Sequence, residues 1–267
     1  MPRLSIITIN LNNASGLKNT SESITCQTFT GYEWIVIDGA SSDGSIEIIK
    51  NHINKIDYWV SETDSGIYHA MNKGIKQSNG EYCFFLNSGD YFVDEKVLKS
   101  VFEKEFQEDV VFGNLLVLLN NKVVGKSKGK DQITFLDVYS SLIKHQAAFI
   151  RKKLFDKFGM YNEKLKIIAD WDFFMKTVGL GGASYKYLDI DIACFDNNGI
   201  SNNNEIQIAH ERKIVIDTYL PPMMRNDYDS LLKFRDYGIV TKYGIPFILL
   251  RLLAKGTKIY EKLFLGK

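Results

Sequence analysis

The first hundred residues alternate between short apolar runs and segments whose apolar positions recur at helical spacing. The apolar runs are rich in β-branched and aromatic residues, which predicts strands buried on both faces. These runs cover residues 4–10, 33–38, 57–61 and 82–86. Helical spacing follows in residues 17–28, 45–52, 67–75 and 95–106. This alternation predicts an α/β fold with a mostly parallel sheet and right-handed crossovers.

Polar, acidic loops follow three of the four predicted strands. Asp38 and Asp43 follow the second strand, Asp64 follows the third, and Asp90 follows the fourth. Because the carboxyl ends of parallel strands meet at one edge of a sheet, these acids should converge there. Such an edge favours a cation or a ligand with many hydroxyl groups. Residues 87–90 alone would also suit an ordinary strand-to-helix turn that ends in an aspartate cap.

Two common phosphate-binding loops are missing from the sequence. The loop at residues 11–16 follows the first strand and lacks the G-x-G-x-x-G pattern of dinucleotide-binding folds. The G-x-x-x-x-G-K-[ST] pattern of phosphate-binding loops does not occur either. Phosphates at this edge would therefore be held by a metal ion and side chains.

The pattern changes after residue 107. Strand patterns cover residues 110–119, 122–125, 143–150 and 185–195. The first two predict a hairpin, and the last predicts an edge strand. Helix patterns cover residues 151–158, the segment from 167 and the segment that ends near 219. The basic loop at residues 127–131 suits a lid over an anionic ligand or a solvated turn. A purely structural role is also open for two acids in this region. Asp170 could cap the helix, and Asp172 could be an acid of its first turn that the helix dipole favours.

Composition and charge narrow the class of protein. The 267 residues are 45% hydrophobic and 24% charged with a net charge of +1, which argues against a nucleic-acid partner. The 3 cysteines lie far apart, so we expect neither disulfides nor a zinc site. We find no signal-peptide pattern and no apolar run of the roughly 20 residues that a membrane span needs. These features favour a cytoplasmic protein.

The last segment of the chain differs in character. Residues 247–253 are strongly apolar, and lysines and aromatic residues flank them. A short cationic amphipathic helix of this kind can lie in a membrane interface. It can equally dock on the core of its own domain.

Four motifs resemble the bacterial family 2 glycosyltransferases of the GT-A fold. They stand in the family's order at residues 5–12, 35–45, 62–74 and 80–90. A weaker resemblance continues through His145, Gln146 and residues 169–172. The branch that the chain resembles most makes colanic acid, O-antigen and other surface polysaccharides.

The resemblance implies an architecture. A GT-A fold has a Rossmann-like, mostly parallel central sheet flanked by helices, with a small mixed or antiparallel second sheet. Residues 1–220 would form the glycosyltransferase domain, divided into a nucleotide-sugar-binding half (1–106) and an acceptor-binding half (107–220). Residues 221–267 would form a helical, cationic extension.

The resemblance also implies an activity. Enzymes of this kind move a sugar, with inversion, from a nucleotide diphosphate sugar to an acceptor hydroxyl. The donor is most often a UDP-sugar, and the cofactor would be Mn²⁺ or Mg²⁺. The cationic tail favours a lipid-linked saccharide acceptor, surface polysaccharide biosynthesis and peripheral contact with the inner face of the cytoplasmic membrane.

Residue roles follow from the same resemblance. Asp38 would contact uracil or ribose, Asp64 the ribose or diphosphate, and Asp90 would bind the metal. Asp170 would be the general base, with Asp172 as the fallback. The donor-binding set would also include Thr8, Asn10, Asn12, Ser41, Asn72, Asn87 and Ser88. Contacts to the acceptor or the diphosphate are expected from His145, Gln146 and Trp171.

The chain departs from the family in its metal motif. Asn87 and Gly89 stand where the family often has acids. Asp90 alone would then anchor the cation, with diphosphate and water as the other ligands. Thr8 stands where proline is common, a structural difference. The chemistry still needs one base for the acceptor hydroxyl and one cation for the departing diphosphate, which Asp170 and Asp90 would supply.

Two other functions remain open at the level of sequence. A nucleotidyltransferase of related fold usually has a glycine-rich, basic loop after the first strand, which residues 11–16 lack. A catalytically inactive nucleotide-sugar-binding protein would explain the thinned metal motif. Against it stands the presence of all four acids, Asp38, Asp64, Asp90 and Asp170.

Overall fold

A computed structural model describes residues 1–120, 122–196 and 204–236 of the chain. The chain divides into two units, Met1–Tyr219 and Leu220–Lys267. The first unit carries all the strands found among the described residues.

The first half of this unit repeats strand and helix, as the sequence predicts. Its elements are β1 (Leu4–Asn10), α1 (Ala14–Thr25), β2 (Tyr32–Asp38), α2 (Ser45–Asn51), β3 (Tyr58–Ser61), α3 (Ile67–Gln77), β4 (Tyr82–Phe85), β5 (Tyr91–Phe92) and α4 (Val97–Phe102). Strands β1 to β4 run parallel in the order β3-β2-β1-β4. Helix α1 begins three residues earlier than expected, because the Asn13 side chain caps it by accepting a hydrogen bond from the Gly16 N–H.

The second half of the unit adds antiparallel pairs. Its elements are β6 (Val110–Leu119), β7 (Lys122–Ser127), α5 (Phe135–Tyr139), β8 (Ala148–Arg151), α6 (Lys153–Phe158), α7 (Ala169–Phe174), β9 (Tyr185–Asp196) and α8 (Glu205–Tyr219). Helix α7 continues as a π-helical turn over Met175–Gly179. His145–Ala147 form a 3₁₀ turn instead of the predicted start of a strand, because the Ala148 N–H bonds back to the His145 carbonyl.

The nine strands of the described residues form one sheet. Its order is β3-β2-β1-β4-β8-β6-β9-β5, and β7 pairs with β6. The expectation of a small second sheet is therefore wrong. Strand β8 pairs with both β4 and β6 and so joins the antiparallel strands to the parallel ones. The expectation that β9 is an edge strand is also wrong, since β6 and β5 flank it.

Strands β1 and β4 lie at the centre of the core. Every residue of both strands is buried. The Phe84 ring lies 5.3 Å from the Phe92 ring and 4.7 Å from the Phe149 ring, measured between centroids. In β1 the buried Thr8 hydroxyl accepts a hydrogen bond from the indole N–H of Trp34 at 3.0 Å. Dense packing of this kind fixes the strand ends and the loops that leave them.

Asp38, the last residue of β2, is fully buried and accepts hydrogen bonds from three residues. Asn10 Nδ2 donates at 2.7 Å and Ser61 Oγ at 2.6 Å. Ser41 donates from its hydroxyl at 2.6 Å and from its backbone N–H at 2.9 Å. Burial alone would raise the pKa of Asp38, but these hydrogen bonds outweigh it and hold the pKa below its ordinary value. The carboxylate therefore joins the ends of β1, β2 and β3.

Further side chains join the loops that follow these strands. Asn12 Oδ1 accepts a hydrogen bond from the Ser42 N–H at 2.9 Å, and the Asn12 N–H donates to Ser41 Oγ at 2.8 Å. Asp43 accepts a hydrogen bond from the Ala14 N–H at 2.7 Å. The loops after β1 and β2 therefore hold each other in place.

The second unit contains α9 (Pro222–Asp236) among its described residues. The predicted apolar segment at residues 247–253 lies outside the described residues, so its membrane or docking role stays a prediction. Of the helices that the structure describes, none is long and apolar enough to cross a bilayer.

We predict that Asp38→Asn lowers the free energy of unfolding by about 1 to 3 kcal/mol near neutral pH, because an amide nitrogen would face donors that need an acceptor. A carboxyl whose pKa folding depresses contributes stability above its unfolded pKa of about 3.9 and loses it as the pH falls through the folded pKa. In urea unfolding, the stability gap between wild type and variant should be full at about pH 7 and narrow towards about pH 3. A gap that does not change with pH would contradict this role.

Candidate functional site

The carboxyl ends of β1 to β4 share one edge of the sheet. Asn10 lies opposite Asp38 in register, and Asp38 lies opposite Ser61. On the other side of β1, the Ser88 N–H donates to the Ile9 carbonyl at 3.0 Å and continues the pairing beyond β4. The structure thus brings to one edge the predicted donor-binding residues Asn10, Asn12, Asp38, Ser41, Asn87 and Ser88.

Two amide oxygens at this edge, Asn10 Oδ1 and Asn87 Oδ1, are buried and have no hydrogen-bond partner among the residues that the structure describes. The orientation of the Asn10 amide follows from its neighbour: an ionised Asp38 carboxylate can only accept, so Nδ2 contacts it. A buried acceptor left without a donor costs about 1 to 3 kcal/mol. Both oxygens therefore suit a ligand that offers N–H or O–H groups.

The polar turn after β4 is held by α1. Thr20 Oγ1 donates to the Asp90 carbonyl at 2.7 Å and accepts from the Gly89 N–H at 3.0 Å. Asn13 Nδ2 donates to the Ser88 carbonyl at 2.9 Å. Gly89 has a φ of 105°, a conformation that glycine adopts without strain. A residue with a side chain would be strained at position 89 in this conformation.

A metal at this turn would need ligands from outside the protein. Within the described ranges, no group of three or more His, Cys, Asp or Glu side chains is arranged to hold a metal ion. Asp90 is 5% exposed, and its N–H donates to the Asn87 carbonyl at 2.9 Å, so one turn carries a carboxylate and an amide oxygen. The Asp90 carboxylate is a hard oxygen ligand that fits Mg²⁺ or Mn²⁺, provided that a diphosphate and water complete the coordination.

Asp64, in the loop after β3, pairs with Lys73 of α3 at 2.6 Å. His69 Nδ1 lies 3.0 Å from the same Asp64 oxygen, and Lys73 also binds Glu62 at 2.8 Å. Burial alone would lower the pKa of Lys73, but its bonds to Asp64 and Glu62 outweigh burial and raise it. A β-carbon placed on Gly39 would lie 3.5 Å from Asp64 Oδ2, so Asp64 stands beside the end of β2.

Two predicted donor-binding side chains bind other parts of the protein. Thr8 accepts the indole hydrogen bond from Trp34. Asn72 Nδ2 donates to the Tyr161 carbonyl at 3.0 Å and to Glu163 Oε1 at 2.8 Å, and Asn72 Oδ1 accepts from the Tyr161 N–H at 3.1 Å. Asn72 thereby joins α3 to the segment between α6 and α7. Contact of either side chain with a sugar donor stays a prediction.

Asp170 lies in the first turn of α7, and both of its carboxylate oxygens are engaged. His145 Nδ1 lies 2.7 Å from Oδ2, and the Tyr68 hydroxyl donates to Oδ1 at 3.0 Å. Burial alone would raise the pKa of Asp170, but attraction to His145 and the bonds from His145 and Tyr68 outweigh it and lower the pKa. The side chain is 20% exposed. Asp170 is therefore an ionised, oriented carboxylate that solvent can still reach.

Asp172, the predicted fallback base, has different neighbours. It is 5% exposed and is hydrogen-bonded to Tyr219. Burial raises the pKa of Asp172 despite the opposing effects of Tyr219 and Lys176. Of the two acids in α7, Asp170 is thus the one with the exposed carboxylate.

The residues predicted to contact the acceptor or diphosphate are largely packed inside. Trp171 is 4% exposed, its Nε1–H donates to the Val138 carbonyl at 2.9 Å, and the Arg212 guanidinium lies 4.2 Å above its ring. Gln146 is also buried. His145 contacts Asp170 through Nδ1, and its buried Nε2 has no partner within the described part of the chain. The contact of these three residues with a substrate stays a prediction.

The sequence does not predict the contacts that Tyr68, Glu211 and Arg212 make at this site. The Tyr68 hydroxyl reaches the Ile167 carbonyl at 2.6 Å as well as Asp170, and its only sequence signal is its place inside the motif at residues 62–74. Glu211 of α8 binds the turn before α7, and Arg212 lies over the Trp171 ring of α7. Their side chains lie on a helix of ordinary composition, which carries no signal of that contact.

The sequence and fold match those of known proteins. The family model Glycosyl transferase family 2 matches residues 5–163. A PGL/p-HBAD biosynthesis glycosyltransferase of Mycobacterium bovis (strain BCG / Pasteur 1173P2) is 28% identical over 225 residues, which cover 82% of this chain and 86% of the relative. An uncharacterized glycosyltransferase of Mycobacterium tuberculosis (strain CDC 1551 / Oshkosh) is 30% identical over 213 residues, which cover 76% of this chain and 79% of the relative.

Solved structures share the fold. S. aureus TarS 1-349 in complex with UDP-GlcNAc matches with a TM-score of 0.67 and 20% identity, over 85% of this chain and 70% of that one. The mannosyltransferase PcManGT from Pyrobaculum calidifontis, in complex with GDP-Man and Mn²⁺, matches with a TM-score of 0.60 and 15% identity, over 97% and 80% of the two chains. These matches confirm the predicted α/β fold of GT-A type. With most of its length matched by the family model, the chain belongs to Glycosyl transferase family 2.

Proposed function

We propose that this chain transfers a sugar, with inversion, from a UDP-sugar to a hydroxyl of a lipid-linked saccharide acceptor. The observation that carries the proposal is Asp170, an ionised carboxylate held by His145 and Tyr68 and still open to solvent. In a member of this family, such a group suits the proton acceptor of the transfer step.

The nucleotide would bind at the carboxyl edge of the parallel strands. Asn10 Oδ1 and Asn87 Oδ1, which have no partner among the described residues, suit the N–H of uracil and the hydroxyls of ribose. Asp38, whose carboxylate already binds Asn10 and Ser41, would shape this pocket more than contact the base. Support comes from the structural neighbour TarS, which was solved with UDP-GlcNAc.

The diphosphate would lie between the turn after β4 and the loop after β3. Asp90 would hold Mn²⁺ or Mg²⁺ together with diphosphate and water ligands, and the cation would stabilise the departing diphosphate. Asp64 would act near the ribose or diphosphate, with Lys73 balancing its charge and His69 within hydrogen-bond distance of it. The neighbour PcManGT was solved with Mn²⁺.

The residues of α7 and α3 would then handle the proton. As the acceptor oxygen bonds to the anomeric carbon, the carbon–oxygen bond to the diphosphate breaks and the configuration inverts. The acceptor proton becomes acidic only as that bond forms, so a carboxylate of low pKa such as Asp170 can take it late in the step. His145 and Tyr68 keep the receiving oxygens in place.

The acceptor and the location belong to the same proposal. A relative is named a PGL/p-HBAD biosynthesis glycosyltransferase, so the proposal that a biosynthetic acceptor is glycosylated has support from one member of the same family. Transfer to a lipid-linked saccharide would take place at the inner face of the cytoplasmic membrane, as part of surface polysaccharide biosynthesis. The cationic segment after residue 236 would bring the enzyme to that surface.

We predict that Asp170→Asn lowers the turnover of a UDP-sugar by about 10²- to 10⁴-fold, because the proton acceptor is lost. The affinity for UDP should stay within about threefold, since the donor edge is unchanged. UDP release from a panel of UDP-sugars measures turnover, and calorimetry measures UDP affinity. Asp172→Asn, two residues away on the same helix, should keep most of the activity. Normal turnover by Asp170→Asn would remove Asp170 from the base role.

We also predict that Asp90→Ala weakens the binding of UDP in the presence of Mn²⁺ by about tenfold or more, because the anchoring carboxylate of the cation is lost. Binding of UDP in EDTA should change little. The exposed Asp94 provides the matched control, and Asp94→Ala should bind UDP as the wild type does. Equal loss of affinity with and without metal would contradict the metal role of Asp90.

A further inference from the structure

Glu211 of α8 is 2% exposed, although it is a carboxylate on a surface helix. Its Oε1 accepts a hydrogen bond from the Lys166 N–H at 2.8 Å, and its Oε2 accepts from the Ile167 N–H at 3.0 Å and the Ile168 N–H at 3.3 Å. Gln207 Nε2 also donates to Oε1 at 2.8 Å. One carboxylate thus satisfies three successive backbone amides.

These three amides belong to the turn that leads into α7. Ile168 is the residue that precedes the helix, and its own side chain makes no capping hydrogen bond. Asp170 is the second residue of α7, so it follows the last amide held by Glu211 by only two positions. A shift of this turn would move the Asp170 carboxylate directly.

The same turn is fastened from its other side by α3. The Tyr68 hydroxyl lies 2.6 Å from the Ile167 carbonyl and 3.0 Å from Asp170 Oδ1. Ile167 is therefore held at its N–H by Glu211 and at its carbonyl by Tyr68, whose single hydroxyl hydrogen is shared between this carbonyl and Asp170 Oδ1. Lys166 Nζ also approaches the Ser65 carbonyl at 3.4 Å, in the loop that carries Asp64.

The neighbouring Arg212 holds the body of α7. Its guanidinium lies 4.2 Å above the Trp171 ring and donates to the Tyr139 carbonyl at 2.5 Å and to Ser141 Oγ at 3.1 Å. Two consecutive residues of α8 thus contact the segment around Asp170. Glu211 binds the backbone amides of this segment, and Arg212 packs on its Trp171 ring. Burial lowers the pKa of Arg212, but an arginine keeps its charge near neutral pH.

We infer that Glu211 is a positioning residue for the transfer step, which rests on the proposed role of Asp170 as the base. The carboxylate is well suited to the task, because three N–H donors converge on it and an ionised carboxylate only accepts hydrogen bonds. A glutamine at this position would keep the shape but turn an amide nitrogen towards backbone donors. The turn would then shift, and the acceptor hydroxyl would meet a misplaced Asp170.

The test is Glu211→Gln in the full chain. Because a misplacement of about 1 Å can cost about 10²-fold in rate, we expect kcat for UDP release from UDP-sugars to fall by about 10- to 100-fold. KM for the UDP-sugar and the Kd for UDP should stay within about threefold, because Glu211 binds the turn before α7 through residues 166–168. Amide hydrogen exchange in residues 165–172 should become faster.

Two variants of the same helix serve as controls. Glu205→Gln changes an exposed glutamate in the first turn of α8 and should keep the wild-type kcat. Val215→Ala removes a buried contact of α8 (Val215 is 3% exposed), so it should lower the thermal stability without lowering kcat at moderate temperature. This variant separates loss of position from loss of stability.

The outcomes distinguish a role of Glu211 in positioning Asp170 from a role in overall stability. Wild-type kcat in Glu211→Gln, unchanged exchange in residues 165–172, or an equal loss of kcat in Val215→Ala would overturn the positioning role. A wild type that neither binds UDP nor turns over any UDP-sugar would contradict the proposed function instead. The exchange measurement needs no substrate, so it still tests in that case whether Glu211 holds the turn.

Discussion

A buried carboxylate needs hydrogen-bond donors from the protein to replace the water it has lost. In the first unit, the hydrogen bonds to such carboxylates join its strands and helices. At one end of the parallel strands, Glu33 accepts hydrogen bonds from the Ser5 hydroxyl at 2.6 Å and the Gly80 N–H at 3.1 Å. At the other end, Asp38 joins three strands. Glu211 joins α8 to the turn before α7. Each carboxylate ties together segments that are far apart in sequence.

The buried carboxylates of Asp38 and Glu211 differ from the carboxylate of Asp170 in their exposure to solvent. Asp38 and Glu211 have their oxygens bound by protein donors and almost no exposed surface. Asp170 also has both oxygens engaged, yet its side chain is 20% exposed. It therefore combines a fixed orientation with access for a substrate. In the proposed mechanism the buried acids supply rigidity, and the exposed one supplies the proton acceptor.

The local features of the fold are predictable because they depend on neighbouring residues. The apolar runs of β1, β2 and β4 and the polar loops after them mark the parallel half and its edge correctly. The interior place of β9 and the joining of all strands into a single sheet depend on strands that are distant in sequence. No pattern within a segment encodes such pairings.

The same limit applies to the site. The motifs marked Asp38, Asp64, Asp90 and Asp170 as a group, but not which of them the fold buries. Asn72 lies within a motif and yet binds the segment at Tyr161 and Glu163, because the helix face that it occupies turns towards that segment. Tyr68 and Glu211 act on Asp170 across sequence separations that only the folded chain closes.

The crystal structure of the chain with UDP and Mn²⁺ tests the central claim most directly. The account predicts the uridine at the carboxyl edge of β1 and β4, with its donors within hydrogen-bond distance of Asn10 Oδ1 and Asn87 Oδ1. It also predicts a metal ion between Asp90 and the diphosphate, with Asp170 still held by His145 and Tyr68. UDP bound at another surface, or a metal ion that does not contact Asp90, would contradict it.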